Sequence, residues 1–200
     1  MNKGIAVLIG AIALIVIIAV GAGLMWMGIY NSLVGKDVDV ENKWAKVQSA
    51  YQRRADLIPN LVETVKGARD FESETQTKIA ELRSQAGTAK QEVADAKTVD
   101  DLENANQEVS TVVSRLLVVV EAYPDLKANT NFLALQDELA GTENRIKFER
   151  DNYNDAVKSY KTAVRSFPES IVADRSGFSQ DKWKMFEADE GAENAPKVQF

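Results

Sequence analysis

Two groups of polar residues have types and spacings that could do chemistry. Arg54, Asp56, Asn60 and Glu63 surround Pro59, and Gln136, Glu143, Asn144 and Arg145 lie in a second stretch of helical periodicity. Carboxylates beside arginines can move a proton or steady an anion, the equipment of a hydrolase or transferase, when a concave site raises a carboxyl pKa. The plainer reading is charge on solvated helix faces: Arg53 and Arg54 with Asp56, Glu63 with Lys66, Glu143 with Arg145 or Lys147. If the two groups face each other, they form a buried network or an assembly contact. Proline inside a helix frees a carbonyl, here that of Ala55, which then needs another donor.

Composition narrows the chemistry further. The 200 residues include no cysteine and no histidine, so disulfides, thiolate nucleophiles, zinc-thiolate sites, histidine-based triads and Glu-x-x-His di-metal sites are excluded. The expectation is a protein that is not an enzyme and carries no cofactor or metal. Twenty-four basic residues stand against 30 acidic ones, a net charge of -6, and Lys3 is the one basic residue before Lys36. A chain this acidic is a poor partner for nucleic acid.

The elements that must position these residues begin with a membrane span. No charged residue occurs between Lys3 and Lys36, and Ile5 to Ile29 is almost wholly apolar. At ~1.5 Å per residue such a helix crosses a ~30 Å hydrocarbon layer, with Trp26 and Tyr30 where interfacial aromatics belong. A signal peptide cleaved near Ala19-Val20-Gly21 is the competing reading; the apolar run continues past that point, which favours retention. Small residues four apart, Ala6 with Gly10 and Ala19 with Gly23, would let spans pack together. Lysines flank the span on both sides, so charge alone leaves its orientation open.

Beyond the span the periodicity is helical throughout. Trp44, Val47, Tyr51, Ala55, Ile58, Leu61 or Val62, and Val65 mark a first helix, kinked but unbroken at Pro59. Phe71, Thr75, Ile79, Leu82 and Ala86 mark a thinner second stripe before the polar run from Gln91 to Lys97. Leu102, Ala105, Val109, Val113, Leu116, Val120 and Tyr123 mark a third helix, ending at Pro124, with Leu117, Val118 and Val119 widening its apolar face toward burial on more than one side. A strict three-four alternation runs through Phe132, Leu135, Leu139, Thr142, Ile146, Glu149, Tyr153, Ala156, Tyr160, Ala163 and Phe167. That repeat is a coiled-coil seam roughly 50 Å long.

The pattern predicts an all-α protein: a transmembrane anchor over 4–29, then an up-down-up-down antiparallel four-helix bundle over 30–167 with long first and fourth helices. Residues 168–200 form a membrane-proximal segment and an acidic tail. The returning fourth helix brings Phe167 toward the bilayer, with Ile171, Val172, Phe178, Trp183, Met185 and Phe186 set to touch headgroups, the anchor or a neighbouring subunit. Alternatively they cap the open end of the core. Val198 and Phe200 give the tail an apolar ending that a groove could capture.

Several stretches resemble the LemA family. They are Tyr30-Asn31-Ser32-Leu33-Val34, the run from Arg53-Arg54-Ala55-Asp56-Leu57-Ile58-Pro59-Asn60-Leu61 to Gly67, Tyr123-Pro124-Asp125-Leu126, Phe132-Leu133-Ala134-Leu135-Gln136, Gly141-Thr142-Glu143-Asn144-Arg145-Ile146, Tyr153-Asn154, Phe167-Pro168 and the ending Pro196-Lys197-Val198-Gln199-Phe200. The resemblance implies a helical-bundle domain behind an amino-terminal anchor in a bacterial cell membrane, single-pass, with no established enzymatic activity. Lipoprotein-like members imply an extracytoplasmic soluble domain, although the lipid-attachment cysteine is absent here. At Gly67-Ala68-Arg69-Asp70-Phe71-Glu72 the sequence departs from a family pattern that often carries histidine, which argues against a general metal or acid-base role at that turn.

The expected function is a non-catalytic scaffold or assembly protein, partnered by the lipid bilayer and by copies of itself. Phe148, aromatic but outside the seam, motivates the lateral contact. The alternative is an adaptor that docks a membrane enzyme or protease through Val198 and Phe200; a hydrolase or transferase at the Pro59 kink is the third reading.

Overall fold

The structure, a computed structural model, describes residues 3–67 and 72–187. Among them are six helices and no strand: α1 (Lys3–Lys66), α2 (Ser73–Asp95), α3 (Val99–Glu121), α4 (Pro124–Lys127), α5 (Thr130–Arg165) and α6 (Glu169–Ser176). The four periodic stretches correspond to α1, α2, α3 and α5, while α4 and α6 are short additions. Pro59 lies inside α1 without ending it.

The chain divides into two compact units, one of residues up to Glu41 with Ala156–Trp183, the other of Asn42–Asp155 with the segment from Lys184. In the first unit, α1 carries the apolar run. Its large side chains stand open, Val7 at 72% and Leu24 at 64% exposure, the surface that a helix apolar on all sides presents to lipid. Among the described residues this is the one helix long and apolar enough to cross a membrane. Past the run, Leu33 and Val40 are buried, as are Val157, Tyr160 and Val164 of α5 and Val172 and Ala173 of α6. Lys36 donates to Ser159 Oγ at 2.8 Å. Gly177 closes α6 with φ at 78°, a left-handed position that glycine takes without steric cost. It turns the chain so that Phe178 meets Tyr30 edge-on, ring centroids 5.8 Å apart.

In the second unit the helices meet through ion pairs and hydrogen bonds that give their directions. Trp44 lies against Tyr153, and Arg53 reaches Glu138 at 2.7 Å, so α5 runs antiparallel to α1. Glu63 pairs with Arg83 and Asp56 with Lys90, so α2 is antiparallel to α1. Tyr123 donates to Thr75, and Arg115 to Gln85, so α3 is antiparallel to α2. The core collects Val47, Tyr51, Ala55, Ile58, Leu61, Val62 and Val65 with Ile79, Leu82, Leu102, Leu116, Phe132 and Ile146. Two details differ from the periodic reading. Helix α2 continues through the polar run to Asp95, because Val93 and then Ala96 keep its buried stripe going. On α3, Val112 is buried and Val118 is 69% exposed, so the widened apolar face opens outward instead of packing on both sides.

The α2–α3 turn shows how locally encoded these ends are. Asp101 N donates to Thr98 Oγ1 at 3.1 Å, while Asp101 Oδ2 accepts from the Thr98 amide at 3.0 Å, a reciprocal cap. The Thr98 hydroxyl, then the Lys97 and Thr98 amides, hold the Asp101 carboxyl below its ordinary 3.8. A depressed carboxyl contributes stability that is present above its ordinary pKa and is lost as pH falls through the folded value. Thr98→Ala should cost about 1 kcal/mol, read by thermal unfolding at neutral pH. The gap between this variant and the parent should narrow as pH drops below that range; a gap independent of pH would contradict the cap's role.

Candidate functional site

Arg54 is a buried charged residue of the second unit, its side chain 6% exposed. It reaches three partners on two other helices: Glu143 of α5 in an ion pair, Asn106 of α3 in a hydrogen bond, and Ser110 Oγ of α3 at 3.2 Å. Its Nε has no partner. Burial pulls the guanidinium pKa down and Glu143 pushes it back up, so the carboxylate is what makes a buried cation tolerable. Ser110 also donates to the Asn106 carbonyl at 3.0 Å, bracing the receiving side.

The remaining polar residues around Pro59 do not join Arg54. Asp56 accepts from Gln52 at 3.1 Å and pairs with Lys90 at 2.9 Å, and Glu63 pairs with Arg83 at 2.9 Å. Pro59 is half-buried and Asn60 exposed, its carbonyl accepting from Thr64. On α5, Gln136 is half-buried and Asn144 exposed, while Arg145 pairs with the buried Glu149 at 2.7 Å. An open groove of about 1170 Å³ is lined by residues of α1, α2 and α5 that include Arg53, Asp56, Glu138 and Arg145. Each of these four is in an ion pair, and Lys46 adds a further positive charge to the groove lining. Among the described residues no group of three or more carboxylates, histidines or cysteines converges as metal ligands would.

The aromatic residues of 178–186 separate. Phe178 stays with Tyr30 in the first unit, where Trp183 donates to Asp37 at 2.8 Å beside the Lys182–Asp37 pair at 2.6 Å. In the second unit Phe186 is buried among Trp44, Tyr51 and Tyr153, with centroids at 6.2, 6.4 and 5.5 Å, and Arg150 lies over its ring at 4.7 Å. Asn154 grips the Phe186 backbone twice: Oδ1 accepts from its N–H and Nδ2 donates to its carbonyl, both at 2.9 Å. Tyr153 donates to the Lys184 carbonyl and Arg150 to the Glu187 carbonyl, again at 2.9 Å. Lys184 pairs with Asp100 at 2.5 Å, and Met185 is half-buried. Helical periodicity carries no sign of this clamp, because Arg150, Asn154 and Asp100 lie off the apolar stripes. The adjacent pair Tyr153-Asn154 was the available signal. Val198 and Phe200 lie outside the described residues.

The sequence pattern of the LemA family matches residues 43–200, which include Arg54, Glu143 and the whole clamp. The chain belongs to the LemA family. Among its relatives, Protein LemA of Metamycoplasma hominis is 26% identical over 76% of this chain and 66% of its own length. Magnetosome protein MamQ of Magnetospirillum gryphiswaldense is 24% identical over 90% of this chain and 72% of its own. Magnetosome protein MamQ 2 of Paramagnetospirillum magneticum is 25% identical over 77% and 64%. The matched stretch thus spans just under two thirds of the LemA and MamQ 2 relatives. None of these names denotes an enzymatic activity. Together with the apolar helix, LemA-family membership supports a membrane-associated protein.

Proposed function

We propose that this LemA-family chain is a non-catalytic scaffold, held in a bacterial cell membrane by residues 4–29 and self-associating at the bilayer surface through a four-helix domain on the extracytoplasmic side. The antiparallel pairings of α1 with α5, α1 with α2 and α2 with α3 support the up-down-up-down topology. The observation that carries the assembly reading is the outer face of α5, a 36-residue helix that leaves Phe148 57% and Leu133 44% exposed with Arg145 over the Phe148 ring at 5.8 Å. An aromatic under a cation on a long rigid helix suits a lateral protein contact. Mass measurement of the detergent-solubilised chain across a concentration series should give a defined oligomer, and Phe148→Glu should dissociate it. A monomer at every concentration ends this reading. Docking of a membrane enzyme or protease through Val198 and Phe200 is the second reading, supported by the family-like ending; deleting residues 190–200 should then abolish partner pulldown with helicity unchanged.

A further inference from the structure

We propose that the groove between α2 and α3 is the seat of this chain's own residues 193–200, with Glu193 on Arg115 and with Val198 and Phe200 against the apolar lining. The groove, about 730 Å³, is lined by Leu82, Val118, Val119 and Ala122. Val118 is 69% exposed, so the described residues leave this end of α3 uncovered. The charges of the lining are unevenly matched. Lys78 is held by Glu74 at 2.6 Å. Arg115, by contrast, donates to the neutral Gln85 at 3.2 Å and joins no ion pair among the described residues.

The point where the described chain stops favours the tail of the same molecule. Arg150 Nη2 binds both Glu103 Oε1, at 3.0 Å, and the Glu187 carbonyl, at 2.9 Å, so Glu187 stands beside Glu103 of α3. At about 100° per residue, Val118 and Arg115 lie roughly 60° and 120° around α3 from Glu103, and Gln107, Thr111 and Ser114 put no charge between them. Arg115 is ~18 Å along the helix from Glu103, and extended chain from Glu187 to Glu193 spans ~20 Å. Extended chain to Val198 spans ~36 Å, enough for Val118 and Ala122 at ~22 and ~29 Å. The charges come in matching order. Asp189, Glu190 and Glu193 precede Lys197, and on the antiparallel α2 the groove places Glu81 beyond Gln85 and Arg115. Val198 and Phe200 alternate, so an extended segment turns both toward one surface. Tethering then supplies a high effective concentration. Ligand and groove belong to one chain, so the proposal stands apart from self-association.

Because the chain has no cysteine, docking can be read in full-length protein carrying Val118→Cys with Val198→Cys. Oxidised at dilution in detergent, this chain should close a disulfide within itself several-fold more than one carrying Ala80→Cys with Val198→Cys. Ala80 is exposed on α2 but about 140° around that helix from Gln85, away from the groove. Non-reducing mass measurement separates a bond within one chain from a bond between copies. Arg115→Glu, also at an exposed position, should lower the internal link several-fold, and adding Glu193→Arg should restore it. Linking at the control level, linking chiefly between copies, or linking unmoved by the charge reversal overturns the proposal.

Discussion

Replacing Glu143 with glutamine should cost about 3 kcal/mol, while replacing Arg54 with methionine should cost about 1 kcal/mol or less. The asymmetry follows from where the two charges sit: the Arg54 side chain is 6% exposed and that of Glu143 is 50% exposed. Without the carboxylate, a guanidinium remains buried with only the neutral Asn106 and Ser110 as partners and with Nε already unsatisfied. Without the guanidinium, Glu143 turns to water, and methionine fills the space with an unbranched apolar chain. Asn106 and Ser110 are half-buried and keep their own hydrogen bond. Combining Arg54→Met with Glu143→Gln should therefore recover most of what Glu143→Gln alone loses, a coupling of about 2 kcal/mol in a double-mutant cycle. Thermal or urea unfolding followed by helicity measures all four proteins. An arginine variant less stable than the glutamine variant would mean that Arg54 acts through packing and not as a buried charge.

Helical periodicity made the buried stripe of α1 legible residue by residue, from Val47 through Tyr51, Ala55 and Ile58 to Val65. It did so because each of those side chains has one energetic preference, to leave water. The polar residues around Pro59 have several acceptable partners, and angle decides among them. At about 100° per residue, Asp56 and Glu63 stand roughly 180–200° around α1 from Arg54. They pair with Lys90 and Arg83 of α2, while Arg54 reaches Glu143 of α5. Arg145 is about 200° from Glu143 on α5 and pairs instead with Glu149. Which helix stands on which side is tertiary information that a single stripe does not carry. The segment after Gly177 has no periodicity at all, so nothing local distinguished Phe178, which meets Tyr30, from Phe186, which enters the cage of Trp44, Tyr51 and Tyr153.

Removing that ring is the second large effect: Phe186→Ala should destabilise the protein by about 3–4 kcal/mol, as loss of a buried phenylalanine does when its surroundings relax only partly. Phe186 is 5% exposed. Its cage is built from side chains on two long helices, Trp44 and Tyr51 of α1 and Arg150 and Tyr153 of α5, which cannot close the gap without moving those helices. By contrast, Tyr153→Phe removes only the hydroxyl that donates to the Lys184 carbonyl and should cost about 1 kcal/mol. Burial pushes the Tyr153 phenol up to about 12 from 10.0. A raised phenol contributes stability that is fully present below its unfolded pKa and is lost as pH rises toward the folded one. Ultraviolet titration of the parent should accordingly show a tyrosine step near pH 12, smaller by one tyrosine in Tyr153→Phe, while Tyr51 and Tyr160, also raised by burial, still titrate above 10.0. In Phe186→Ala the step should move down toward 10, because the opened cage admits water to the hydroxyl. If Phe186→Ala leaves both the unfolding curve and that step in place, the ring is not what holds the segment against α1 and α5.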